Sequence, residues 1–209
     1  INARGRLAHA GLAVDLMLTK SPTDAMQWAT LLDQANLRRR DIEAETVEEA
    51  KVQIDGKKSL GNVIVVHNEH WHPGVIGLVA AKLVRDWNRP AIVIGEGGKG
   101  SARSIPQIDI HAAMGQSSEL LDKFGGHKAA AGLTIDYQRI SEFASRISDS
   151  VANQVGDAPY VKEFVPDLDI DVREVNLGWA DALDALSPFG MGNPQPLFFA
   201  SNVAVVGSQ

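Results

Sequence analysis

The chain has 209 residues, enough for one large or two small domains, and its 44% hydrophobic and 22% charged residues match an ordinary globular protein. It has no cysteine, which excludes a disulfide framework, a thiolate zinc site and a cysteine nucleophile. The net charge of −6 argues against indiscriminate nucleic-acid binding, but eight acidic and two basic residues between positions 157 and 184 carry all of it, so a local basic groove remains open elsewhere. No apolar run reaches membrane-spanning length and no signal-peptide pattern opens the chain, so the expected location is the cytoplasm. The first residue is Ile1, not methionine, and the chain reads as a piece of a longer protein.

Residues 1–7 hold Arg4 and Arg6 beside Asn2 and Gly5, which suits phosphate binding and equally suits two solvated surface arginines. Residues 12–18 are an apolar, helix-like run. Ser21-Pro22-Thr23-Asp24 is a helix start, with Ser21 as N-cap, Pro22 at the first helical position and Asp24 at the positive helix end. Ala25, Trp28, Leu32, Ala35, Arg39 and Ile42 follow at spacings of three and four, and no glycine or proline intervenes before Gly56. This predicts a helix of about thirty residues, long enough to connect two domains. Arg38, Arg39 and Arg40 within it read as a solvated face or as a flank for nucleic acid.

Residues 55–62 are polar with two glycines and mark a boundary. Val63-Ile64-Val65-Val66 reads as a buried strand, and the loop after it holds His67, His70 and His72. Three histidines in six residues invite a metal, but no carboxylate or cysteine set completes the site. His72, between a strand end and a helix start, reads as a polar group near a bound anion or as a structural cap. Residues 75–84 are apolar nearly all round, with Gly77 inside, which predicts a buried helix pressed onto a sheet. Asn88-Arg89-Pro90 turns into a second buried strand at residues 91–95, and a strand–helix–strand unit of this length gives parallel strands.

Glu96-Gly97-Gly98-Lys99-Gly100 is a hairpin-like loop into Ser101-Ala102-Arg103-Ser104. In an extended segment Ser101 and Arg103 face one way, and Ala102 and Ser104 the other. Hydroxyls and a guanidinium converging there make a phosphate cradle or a polar edge strand. Residues 108–124 read as one helix with Ile110, Ala113, Met114, Leu120 and Leu121 inward, ending in a Gly125-Gly126-His127 loop. Two glycines free the backbone for positive φ, so successive N–H groups point into one concavity. The same residues also make a plain glycine turn with an exposed imidazole. Residues 133–135 predict a strand and 140–155 an amphipathic helix. Beyond Ala158-Pro159, residues 160–172 are strand-like and acidic, 177–186 helical, 187–196 irregular, and 197–206 strand-like. These read as the start of a small β domain.

Five segments in this order resemble the RecJ family of single-strand-specific exonucleases in the DHH phosphoesterase superfamily. They are Ile1-Asn2-Ala3 with Gly5-Arg6-Leu7; Trp71-His72-Pro73-Gly74-Val75-Ile76-Gly77-Leu78-Val79-Ala80; Lys99-Gly100-Ser101-Ala102-Arg103-Ser104; Phe124-Gly125-Gly126-His127 with Ala130-Ala131-Gly132; and Pro188-Phe189-Gly190 with Gly192-Asn193-Pro194. Gly-Gly-His alone is shared across DHH-associated domains, including those of small-nucleotide phosphodiesterases and alanyl-tRNA synthetase; the five together are far more specific. The resemblance implies an α/β chain. Residues 1–20 would be the tail of a DHH domain and 21–55 a long connecting helix. Residues 56–156 would form the DHH-associated domain, a mixed, partly parallel sheet flanked by helices. Residues 157–209 would be a linker and the start of an OB-fold β-barrel.

The resemblance also implies a function. The full-length enzyme would hydrolyse single-stranded DNA from its 5′ end in DNA repair and recombination, using Mn2+ or Mg2+ held by an Asp-His-His motif. This chain has no Asp-His-His sequence, so the metal ligands are expected upstream of Ile1. No metal is expected on this chain, and this part alone is expected to be inactive. His127 would be catalytic, hydrogen-bonding the scissile phosphate or the leaving group. The Gly125 and Gly126 amides would add fixed dipoles, and Ser101, Arg103 and Ser104 would hold adjacent phosphates, with Arg6 and His72 in the same DNA-binding set. Arg4 stands where many relatives have a small residue. The implied partners are single-stranded DNA, a helicase and a single-strand-binding protein, with no membrane. Two alternatives are a noncatalytic single-strand-binding module and a relative that cleaves short oligonucleotides or cyclic dinucleotides. The last twenty residues weigh against the latter.

Overall fold

The computed structural model describes residues 2–56, 60–156, 160, 162 and 164–204. Its contacts divide it into two units, Ile1–Val161 and Lys162–Gln209. The first unit begins with two short helices, α1 (Asn2–Leu7) and α2 (Gly11–Leu18), followed by α3 (Pro22–Asp55). At 34 residues α3 is about 51 Å long. Ser21 caps it, its hydroxyl accepting from the Asp24 amide at 3.3 Å, and Pro22 opens the first turn. Leu32 is buried, and Ala25, Trp28, Ala35, Arg39 and Ile42 are each at least half-buried, so the face drawn by their spacing is the one the helix turns inward.

A five-stranded sheet follows: β1 (Ile64–His67), β2 (Ala91–Ile94), β3 (Lys99–Arg103), β4 (Lys123–His127) and β5 (Ala130–Thr134), in the order β1-β2-β3-β5-β4. β1 and β2 are parallel, joined through α4 (Pro73–Trp87), and the other pairs are antiparallel. Because side chains alternate along each strand, the sheet has two apolar faces. On one, Ile64, Val66, Ala91 and Val93 meet Val47, Ala50 and Ile54 of α3 and Ile76, Val79 and Leu83 of α4. On the other, Ile92, Ile94, Ala102, Ala131 and Leu133 meet α5 (Ile110–Gly115) and α6 (Ile140–Val155) through Met114, Phe143 and Ile147. The outer edge of β1 is met at His67 by Gln53, whose side-chain amide donates to the His67 carbonyl at 2.9 Å and accepts from its N–H at 3.2 Å. Gln53 thus makes, at that residue, the hydrogen bonds an adjoining strand would make.

The single helix expected over residues 108–124 does not form. α5 ends at Gly115, a 3-10 turn covers Ser118–Leu120, and Lys123–His127 is strand β4. Ile110, Ala113 and Met114 reach the core from the helix, whereas Leu120 and Leu121 reach it from the turn beyond. Gly115 closes the helix and Ser117 and Ser118 follow, and neither glycine nor serine favours a helix interior.

In the second unit the expected strands are short. β6 (Leu168–Asp169) pairs in parallel with β7 (Phe198–Phe199), and α7 (Leu177–Asp184) lies between them in sequence. The Trp179 and Phe198 rings meet edge to face at 5.9 Å. Asn193 closes the Pro-Gly segment, its side-chain amide donating to the carbonyls of Leu186 (2.9 Å) and Pro188 (3.1 Å). The end of the strand expected over 197–206, together with Ile1, lies outside the described residues.

Candidate functional site

The parallel half of the sheet is covered on both faces. On the α4 side the antiparallel half is open, and strand register decides what it displays. Ser101 faces Gly132, which faces Gly125; Lys99 faces Thr134, which faces Lys123; Arg103 faces Ala130, which faces His127. Three rows of side chains therefore cross β3, β5 and β4. The middle row carries one hydroxyl and two glycines, so it is a trough between two cationic rows. A cavity of about 590 Å3 opens over it, floored by Lys99, Ser101, Arg103, Lys123, Gly125, Gly132 and Thr134 and walled by Arg6 of α1 and by Pro73, Gly74, Ile76 and Gly77 of α4.

Close backbone approaches build that wall. A Cβ on Gly74 would lie 1.9 Å from the Arg6 carbonyl oxygen, so only glycine lets α1 rest on the start of α4. A Cβ on Gly77 would lie 3.0 Å from Ser101 Oγ and 3.1 Å from Arg103 Nη2. Arg103 Nη1 donates to Ser101 Oγ at 2.9 Å and to the Ala102 carbonyl at 2.8 Å, which fixes the guanidinium over the trough. Burial, and then the positive charge of Arg6, hold the Arg103 pKa below that of an ordinary arginine. No acidic residue lines the cavity, and no ion pair among the described residues engages Arg6, Lys99, Arg103 or Lys123. Four cations facing one cavity without a counter-charge are suited to a polyanion.

The structure brings Arg6, Ser101, Arg103 and Gly125 into this cavity and places the other candidates around it. His127 is exposed at the end of the Arg103 row, beside the tight turn of Lys128 and Ala129. The carbonyls of that turn accept from Ile110 N–H (3.1 Å) and Ser104 N–H (2.9 Å), which anchors the hairpin. Gly126 lies on the opposite face of the strand from Gly125, has φ +148°, and a Cβ there would strike Ala130 O at 2.4 Å. The expected nest of successive N–H groups is absent, because in a strand neighbouring N–H groups point to opposite edges. The Ser104 hydroxyl donates to the Ile108 carbonyl at 3.0 Å, outside the cavity.

His72 caps α4, its Nδ1 accepting from the Gly74 amide at 2.9 Å, and lines a different cavity of about 390 Å3 with Arg4, Gln34 and Arg38. Arg4 and Arg6 part company because α1 is helical: two residues is about 200° of rotation, so they serve opposite sides. Lys99, Lys123, Gly132, Thr134 and Gly74 were not among the candidates. The alternation that singled out Ser101 and Arg103 also includes Lys99; the others depend on pairing between distant segments. Among the described residues no group of three or more His, Asp or Glu residues is placed to hold a metal, so the histidines at 67, 70 and 72 do not form such a site.

Residues 60–153 match the DHHA1 domain, and residues 166–209 match the RecJ OB domain. Over 210 residues the chain is 33% identical to the single-stranded-DNA-specific exonuclease RecJ of Bacillus subtilis, covering 98% of this chain and 27% of that protein. The chain belongs to the RecJ family. The RecJ of Thermus thermophilus is likewise 33% identical over 208 residues, covering 95% of this chain and 29% of that protein. The crystal structure of Thermus thermophilus RecJ in complex with Mn2+ superposes with a TM-score of 0.84 at 30% identity, covering 96% of this chain and 30% of that one. The chain thus spans between a quarter and a third of these relatives' length.

The motifs shared with RecJ divide by what they do here. Trp71 is buried and its Nε1 donates to Glu49 of α3 at 2.7 Å, while Asn68 donates to the same carboxylate oxygen at 3.1 Å. That motif ties the β1–α4 loop to the long helix, and its glycines shape the cavity wall. The Ser101–Arg103 motif faces the cavity directly.

Proposed function

We propose that this chain supplies the strand-binding wall of a single-stranded-DNA exonuclease acting from the 5′ end in DNA repair and recombination. The observation that carries this reading is the cavity lined by Arg6, Lys99, Arg103 and Lys123 without any acidic residue. Such a site binds the sugar–phosphate backbone and is blind to base sequence, as an exonuclease requires. In this reading Arg6 and Arg103 hold one phosphate with the Ser101 hydroxyl, which offsets the mutual repulsion of the two guanidiniums. His127, beside Arg103 across Ala130, donates to the scissile phosphate or to the leaving oxygen. The described residues do not fit a divalent-metal site, so in this reading Mn2+ or Mg2+ is held elsewhere in the full-length enzyme and this chain alone is inactive. Residues 1–20 then belong to the metal-bearing domain, residues 21–55 connect it to the domain at 56–156, and residues 157–209 lead into the OB fold. A helicase and a single-strand-binding protein are partners under the same reading, and its setting is the cytoplasm.

Titration of the chain with a 5′-phosphorylated single strand at two salt concentrations tests this. Single-strand binding through Z phosphates gives a log–log salt slope of about −0.7Z. Arg6→Ala and Arg103→Ala each weaken binding and flatten the slope. In full-length enzyme the same variants lower the rate of strand degradation. Unchanged degradation alongside weakened binding would instead mark a noncatalytic binding module, and unchanged binding would refute the cavity assignment.

A further inference from the structure

We propose that Lys99 and Lys123 form a second phosphate station at the opposite side of the trough from Arg103, so that the cavity grips two phosphates of one strand. The inference rests on the reading of the Arg6–Arg103 end as a phosphate site, and extends it to a minimum ligand.

Register carries the argument. Lys99 and Lys123 are far apart in sequence, but both pair with Thr134 and so stand on either side of its hydroxyl. Both are exposed and both line the cavity. Acidic neighbours do not neutralise them: Asp122, adjacent to Lys123, faces Arg139 at 3.8 Å, and Glu96, near Lys99, makes no described ion pair with it. The two ammonium groups stand on β3 and β4 with β5 between them, two strand spacings or about 10 Å apart at the backbone, and an anion between them offsets their repulsion. Along β3, Lys99 and Arg103 are four residues apart, about 13 Å at the backbone. The row between them holds only Ser101, Gly132 and Gly125, leaving a floor over which a sugar can pass. Arg103 is held at its own side by Ser101 and the Ala102 carbonyl. The lysine row therefore serves a phosphate other than the one at Arg103. The class of ligand is a phosphorylated strand of at least two nucleotides, and a mononucleotide fills only one station.

The test is an NMR titration of the chain with thymidine 5′-monophosphate and with 5′-phosphorylated oligothymidylates of two to six residues. It is run on the wild type, on the double variant Lys99→Gln with Lys123→Gln, and on Arg103→Ala, with folding checked from the spectra. The double variant should bind the oligonucleotides about tenfold more weakly, with a salt slope smaller by about 0.7 for the one phosphate lost, and should bind the monophosphate within twofold of wild type. Arg103→Ala should weaken every ligand, including the monophosphate. Equal losses for monophosphate and oligonucleotides in the lysine variant, or no loss at all, overturn the second station alone. If Arg103→Ala binds all ligands like wild type, or if the wild type binds none, the phosphate reading of the cavity falls and the second station with it.

Discussion

Gly74 and Gly77 lie on one helix, three residues apart, and the structure predicts unequal outcomes for the same substitution. Propensity alone favours alanine in a helix interior by about 0.8–1.0 kcal/mol. At Gly77 the added methyl would meet Ser101 Oγ at 3.0 Å and Arg103 Nη2 at 3.1 Å, both ends of half-buried side chains that yield by a few tenths of an ångström. The strain falls below the ~1–3 kcal/mol of core overpacking, so Gly77→Ala should leave Tm unchanged within a few degrees. It disturbs the Arg103–Ser101 hydrogen bond, worth about 0.5–1.5 kcal/mol, and should weaken strand binding about threefold to tenfold. At Gly74 the methyl would lie 1.9 Å from the Arg6 carbonyl oxygen and 2.7 Å from its carbon, and backbone does not yield. The end of α1 must lift off the start of α4, taking Arg6 out of the cavity. Losing one charge-assisted contact costs about 1.5–3 kcal/mol, or roughly tenfold to a hundredfold in Kd. Anisotropy titration with a 5′-phosphorylated, 3′-labelled strand, beside a thermal melt, reads both effects. A Gly74→Ala protein that binds as tightly as wild type would refute the claim that this contact delivers Arg6.

His127→Ala in the full-length enzyme should lower kcat by about 10²–10³, the loss typical of one transition-state donor. The same change should leave the melting of this chain unchanged, because the imidazole is exposed. Near-normal turnover would remove the role given to it. Trp71→Phe deletes the 2.7 Å bond to Glu49 and should cost about 1.5–3 kcal/mol in a urea melt, with Glu49→Gln smaller; equal stability of wild type and Trp71→Phe would contradict the anchoring role. The Tyr160 hydroxyl donates to Asn62, its ring lies 3.5 Å under the Arg89 guanidinium, and burial raises its pKa above the ordinary value, partly opposed by Arg89. The unfolded chain then releases this proton first, so the contribution is fully present below about pH 10 and is lost as pH rises through the folded value. Tyr160→Phe should flatten that part of the stability–pH curve, and an unchanged curve would count against the linkage.

Local chemistry determined those parts of the molecule whose causes lie within a few residues. Ser21 with Pro22 sets the start of α3, the spacing from Ala25 to Ile42 draws its inward face, and the apolar runs around residues 64 and 92 with a buried helix between them give the parallel pair. Alternation placed Ser101 and Arg103 on one face, and the five motifs in order were enough to point to the RecJ family. Other features depended on pairing between segments far apart in the chain. Lys123–His127 is a strand because β5 pairs with it; its glycine-rich sequence has no strand preference of its own. Register with Thr134 sets Lys123 in line with Lys99, and a helical turn sends Arg4 and Arg6 to different cavities. The residues around the site were legible in the sequence by type. Their division into a cation-lined trough, a cap at His72 and a lock at Ser104 came from the tertiary structure, because periodicity reports which way a side chain faces within its own element and carries no information about what faces it.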